Sequence, residues 1–178
     1  ELIFAKTPFY AESGGQVADK GSVKNENFIA EIKDIQKTKS GLFIHKVDII
    51  SGEVKTGEIV SLIVDEKIRK STQRNHTCTH LLHKSLSKVL GSHIHQAGSL
   101  VSDTRLRFDF THFEPITKEQ ILEIEKIVNE AIYKAYQVSV KVMNIEEAKK
   151  SGAIDLFDDK YDDEVRVVSV GDFSTELC

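Results

Sequence analysis

Three histidines and a cysteine are the residues of this chain whose types and spacing could do chemistry together. His76-Thr77-Cys78-Thr79-His80 sets two imidazoles four residues apart, one turn from each other on one face of a helix. Both rings can then reach a single ion at about 2.0–2.1 Å from each nitrogen. His83 extends the same face. The chain holds 7 histidines, so an H-x-x-x-H pair is also satisfied by two rim histidines that bind nothing. Thr77 stands where a zincin carries its general-base Glu, which argues against that class. Zinc takes three protein ligands in catalytic sites and four in structural ones. Cys178 could supply the third from a β-like run far along the chain, although a small buried hydrophobe is its other reading. Any fourth ligand would lie beyond Cys178. Cys78 points along the apolar arc of the same helix, away from both histidines.

The elements that must position these residues are legible in outline. Short apolar runs at Leu2–Ala5, Phe28–Ile35, Leu42–Val47 and Ile59–Val64 alternate with Ser-Gly and Thr-Gly turn signals, which predicts strands of a small barrel or sandwich. Near Asp65 the period changes. Cys78, Leu82, Leu86, Val89 and Leu90 fall on one arc at about 100° per residue, with Gly91 as the C′ residue. A second helix is expected to begin at Thr117, with Gln120 completing a capping box. Ile121, Ile124, Val128, Ala131, Ile132 and Ala135 form its apolar stripe. A third, short helix is expected from Asn144 to Gly152. Strands are expected at Leu106–Phe110, Val138–Val142, Val165–Val170 and Phe173–Leu177. The fold class is therefore α+β. Residues 1–64 are read as an N-terminal β-barrel-like subdomain. Residues 65–178 are read as a two-layer α/β domain with a mixed or antiparallel sheet that carries the histidines.

Composition narrows the function classes. With 178 residues, 40% hydrophobic and 29% charged, the chain is neither disordered nor collagen-like. No stretch of about 18 apolar residues could span a membrane. Glu1 opens the chain without an initiator Met or a secretion signal, so a fragment of a longer protein is expected, and Asn75-His76-Thr77 is discounted as a glycosylation site. The 2 cysteines cannot make a disulfide framework, which predicts a reducing, cytoplasmic setting. A net charge of −4 is unlike a domain that coats nucleic acid, so any such contact is local. Lys67, Arg69, Lys70 and Arg74, followed by Lys84 and Lys88, are the basic cluster, or else a solvated helix face.

Longer motifs carry a resemblance. Thr7-Pro8-Phe9-Tyr10-Ala11-Glu12-Ser13-Gly14-Gly15-Gln16, then Asp19 and Gly21, resembles the opening of the editing region of the alanyl-tRNA synthetase family. Arg74-Asn75-His76-Thr77-Cys78-Thr79-His80-Leu81-Leu82-His83 resembles that family's first metal motif. Gln96-Ala97-Gly98-Ser99-Leu100-Val101, Leu106-Arg107-Phe108-Asp109-Phe110 and Gly171-Asp172-Phe173-Ser174-Thr175-Glu176-Leu177-Cys178 match further segments in order. Ala11-Glu12-Ser13 is closer to the synthetases than to the free-standing editing proteins, which tend to read Pro-Thr-Gly there.

The resemblance implies one zinc ion held by His76, His80 and Cys178. The family's second motif is C-x-x-x-H, so its final histidine, the fourth ligand, is expected after the last residue of this chain. It also implies editing-site roles for Thr79, Gln96 and Ser99, as catalytic-site residues. Their bland readings are a helix-buried hydroxyl for Thr79 and an ordinary polar loop for 96–99. Gln16, after two glycines, reads as a hairpin turn or as part of the pocket mouth. The implied activity is hydrolysis of the ester in alanine tRNA mischarged with serine or glycine. The implied partners are the acceptor end of that tRNA and the remainder of the synthetase chain, with no membrane. The alternatives are a free-standing trans-editing deacylase, a non-catalytic tRNA-binding module with a structural zinc, and a protein–protein module of a translation factor.

Overall fold

The computed structural model describes residues 1–150 and 163–178, which fall into two compact units. The first comprises Glu1–Asn75 and Leu100–Arg105, the second His76–Ser99 and Leu106–Cys178. Among the described residues no helix is long and apolar enough to cross a membrane.

The first unit is built on an antiparallel sheet of β1 (Gly21–Lys24), β2 (Phe28–Lys37), β3 (Phe43–Gly52) and β4 (Ser61–Val64), in the order β3-β2-β1-β4. Along β2, Phe28, Ala30 and Ile32 are buried while Ile29, Glu31 and Lys33 are exposed, the period-2 pattern of a sheet with one dry face. A shift of register between Ile32 and Asp34 inserts one residue, and the buried set resumes at Ile35. Without that bulge Ile35 would face water. Phe9, Ala11, Ala18 and Val23 complete the core with these residues.

The expected barrel does not close. β3 and β4 end a sheet of four strands, two of them only four residues long, too few to curl back on themselves when even the small Greek-key barrel uses about five. Leu2–Ala5 is not a strand; Leu2 alone bridges His45, with both backbone bonds at 2.9 Å. β1 carries no apolar run in the sequence: Gly-Ser-Val-Lys offers a single inward apolar residue, Val23. Gly52 closes the β2–β3 pairing at φ +74, where a Cβ would fall 1.6 Å from the Asn27 carbonyl oxygen, so only glycine fits.

Helix α1 (Glu66–Leu90) begins behind Asp65, whose side chain accepts the Ile68 amide at 3.0 Å, and ends at Gly91, whose amide bonds the Ser87 carbonyl at φ +115. Arg69 does not belong to a solvated basic face. Its Nε donates to the buried Asp19 carboxylate at 3.1 Å, its Nη2 pairs with the same carboxylate and also donates to the Pro8 carbonyl at 2.7 Å. Asp19 further accepts the Tyr10 amide at 2.6 Å, so one carboxylate ties the N-terminal motif to the start of α1.

The second unit contains the rest of α1, β5 (Gln96–Val101) up to Ser99, β6 (Leu106–Phe110), α2 (Lys118–Tyr133), β7 (Val138–Asn144), α3 (Ile145–Lys150), β8 (Glu164–Val170) and β9 (Ser174–Leu177). β7-β8-β9 is an antiparallel sheet, and β5 pairs with β6. The observed class is mixed α and β, with antiparallel pairing throughout the two larger sheets. Leu81 of α1, Ala131 of α2 and Val170 of β8 meet in one cluster; Leu86, Ile94 and Ile124 meet in another. The Thr117–Gln120 capping box is present. The α2 stripe is shorter than its pattern. Ala135 lies past the helix end at φ 49, and Ile121 and Ile132 are exposed. Asn144 caps α3 through the Glu146 amide at 2.9 Å, while the expected end of α3 at Gly152 lies outside the described residues.

In the first unit, His45 is completely buried between the rings of Phe4 and Phe9, and its Nε2 is hydrogen-bonded to Thr7 Oγ1 at 2.9 Å. Burial pushes its pKa below the ordinary 6.5, with the Leu2 and Phe43 carbonyls opposing the shift. A lowered folded-state pKa means that its stabilising share is complete above pH 6.5 and is lost as the pH falls below it. The thermal midpoint is expected to drop between pH 7 and pH 5, and to drop less in His45→Gln; equal slopes in the two proteins would disprove the assignment.

Candidate metal centre

The geometry of the second unit brings His76, His80 and Cys178 together. One ligand atom from each lies within 4.8 Å of the others, and Cys178 Sγ is 3.3 Å from His76 Nε2. The two imidazoles are stacked, 5.4 Å between centroids and 15° between planes, the spacing that one helical turn imposes. Two imidazoles and a thiolate are a borderline-soft donor set suited to zinc. Bonds of about 2.0–2.3 Å need donors little more than 3.5 Å apart, which small side-chain adjustments reach. The residues present therefore fit that metal.

Cys178 is held where it is by the sheet. Its amide donates to the Arg166 carbonyl at 2.8 Å, extending the β8–β9 pairing by one residue, and Arg166 Nη1 donates to Sγ at 3.3 Å. Period 2 then puts Glu176 on the same side of the strand as Cys178. Glu176 is fully buried, and its two oxygens are taken by two imidazoles: Oε2 lies 2.6 Å from His80 Nδ1 and Oε1 lies 3.0 Å from His83 Nδ1. His83 is thus drawn to the carboxylate and is not one of the three clustered donors.

Burial works against every charge here, and the neighbours overturn it. Burial alone would lower His80, but its bonds to Cys178 and Glu176 raise it to about 9. Burial would raise Cys178, but His76 and His80 bring it down to about 6. Burial would likewise raise Glu176, and its bonds to His80 and His83 hold it below the usual carboxylate range. Each partner thus favours the charged form of the other, the protonated His80 ring and the Cys178 thiolate, in the metal-free site. Cys78, by contrast, is a half-buried thiol that burial pushes up, with no part in the cluster.

Thr79 is buried on α1 beside His80. Gln96 and Ser99 lie half-buried on β5, where Gln96 Nε2 donates to Ser99 Oγ at 3.1 Å. This segment is a strand and not the polar loop of its bland reading. Gly98 allows the close approach of Asp109, whose Oδ2 would be 2.9 Å from a Cβ. Gln16 sits in the first unit after a tight turn, Gly14 and Gly15 both at positive φ, bonded to Ser13 through both backbone groups. The residue that sequence reasoning missed is Glu176. The available signal was period 2 along the strand, which puts a carboxylate on the same side as the cysteine two residues later.

A metal binding to His80 Nε2 must displace its proton. Zinc uptake is expected to release about one proton near pH 7, and its affinity to climb roughly tenfold per pH unit between about pH 6 and pH 9. Calorimetry in buffers of different ionisation enthalpy measures this; uptake without proton release would contradict the protonation pattern.

Residues 1–68 match the family model described as tRNA synthetases class II (A). Over all 178 residues the chain is 53% identical to the alanine–tRNA ligase of Carboxydothermus hydrogenoformans. It is 54% identical to that of Petrotoga mobilis and 52% to that of Bacillus pumilus. In each case it spans 20% of the relative's length.

Proposed function

We propose, from this chain's membership of the alanine–tRNA ligase family as a segment about one fifth the length of its relatives, that it forms the proofreading site which hydrolyses mischarged alanine tRNA. The bond cleaved is the ester between serine or glycine and the terminal ribose. The observation that carries this reading is the cluster of His76, His80 and Cys178, in a chain whose 178 residues all align with one fifth of an alanine–tRNA ligase. An activation pocket for alanine has little with which to reject serine or glycine. A missing methylene is worth only about 1–3 kcal/mol and an added hydroxyl is poorly excluded, so a second, hydrolytic site is required.

The chemistry divides among this chain's residues. His76, His80 and Cys178 would hold zinc, with a fourth ligand supplied after residue 178. Zinc held there would supply Lewis acidity at the reacting end of the substrate. Thr79, Gln96 and Ser99 donate or accept hydrogen bonds to the serine hydroxyl. Alanine has no hydroxyl to make those bonds and forfeits them, so the correct product is spared. Residues 65–178 carry this site and 1–64 precede it as a β subdomain. The partners on this reading are the tRNA acceptor end and the remainder of the ligase, in the cytoplasm.

The test is deacylation of seryl-tRNA(Ala) by a full-length alanine–tRNA ligase carrying this segment. His76→Ala, His80→Ala and Cys178→Ala are each expected to cut zinc content and reduce hydrolysis more than a hundredfold. Wild-type hydrolysis in all three would reject the site. Gln96→Ala is expected to slow hydrolysis about tenfold with the fold intact; unchanged turnover would remove Gln96 from the site.

A further inference from the structure

Glu176 is an unusual residue to find where it is. It is 0% exposed, and a buried carboxylate is expensive unless its lone pairs are engaged. Both oxygens are engaged, each by the Nδ1 of a different imidazole, at 2.6 and 3.0 Å. His80 and His83 are themselves buried, at 5% and 3% exposure, so neither ring can exchange this partner for water. A carboxylate only accepts, so both Nδ1 atoms must carry hydrogen. The His80 ring is thereby committed: its Nε2 is the atom left for the Cys178 side of the site. The His83 ring packs against Phe108, 5.5 Å between centroids, and lies outside the donor cluster.

We propose that Glu176 is a positioning residue that locks His80 and His83 in the Nδ1–H form, with His83 acting as the second anchor that keeps the carboxylate aimed at His80. The pairing is a match of periods. His76, His80 and His83 run down one face of α1, and Glu176 and Cys178 stand two apart on one face of the strand. Cys178 meets the first two histidines and Glu176 the last two. This inference deepens the metal site on which the proposed function rests. Its readouts are tautomer and metal affinity, so it can fail or stand independently of deacylation.

The decisive measurement is long-range ¹⁵N–¹H NMR of the histidine rings in the wild-type 178-residue chain with one equivalent of zinc. Nδ1–H at both His80 and His83 is expected. An Nε2–H form at either ring would overturn the proposal. The variant Glu176→Gln keeps the shape but can accept through only one side-chain atom, so at least one ring is expected to switch tautomer. Zinc affinity, by competition with a chromophoric chelator, is expected to fall 10–100-fold. His83→Phe retains the bond to His80 and is expected to lose less affinity while His80 keeps Nδ1–H. Zinc affinity within twofold of wild type in Glu176→Gln, with both tautomers unchanged, would also overturn it. Should Glu176→Gln fail to fold, the wild-type tautomers and the His83→Phe affinity still decide the matter. Normal tautomers and affinity in a protein that does not hydrolyse seryl-tRNA(Ala) would leave this proposal standing and remove only the function.

Discussion

A strand laid along a helix brings the site together. Two residues of strand advance about 6.6 Å and one turn of helix about 5.4 Å, close enough for alternate strand residues to meet successive turns of one helical face. Cys178 therefore faces His76 and His80, and Glu176 faces His80 and His83. His80 is common to both contacts. It bonds a thiolate on one side and a carboxylate on the other, and those two anions sustain a proton that burial would otherwise expel.

That arrangement needs a rigid frame on both sides. On the strand side, β8 supplies the frame, holding Cys178 through the Arg166 carbonyl after Leu177 has been buried in a cluster with Val165 and Val167. On the helix side, α1 buries Leu81 on one flank of the histidine face and Leu86 on the other, against residues of α2, β8 and the segment before β5. Apolar packing thus fixes the rotation of α1, and fixing the rotation aims the imidazoles. A polar network in such surroundings has few ways to rearrange, because each alternative strands a buried donor or acceptor.

The start of α1 is held by a different device. Asp19 engages Arg69 and the Tyr10 amide together, so the motif around Tyr10 and the helix that later carries the histidines share one ion pair in the first unit. Its worth lies in what removing one partner would leave: an uncompensated charge at a buried position. Of the residues that looked like a basic surface cluster, Arg69 is therefore structural.

Local chemistry written in the chain was enough for the elements whose signals are local. The caps at Thr117 and Gly91, the histidine spacing on α1 and the alternation along β2 depend on neighbours a few residues away, and each formed as its pattern implies. The strands β1 and β5 carried no apolar run; pairing partners make them strands, and those partners are remote in sequence. Whether four strands close into a barrel depends on the ends of the sheet, which no single segment encodes. Likewise, nothing near Glu176 names its partners. A carboxylate in a short strand reads as a solvent-facing charge until a helix more than ninety positions upstream in the chain covers it. Periodicity, set by steric preferences of each residue, was the sequence's own contribution; which periodic faces meet, and hence which proton sits on which nitrogen, was decided only when the tertiary packing excluded water from between them.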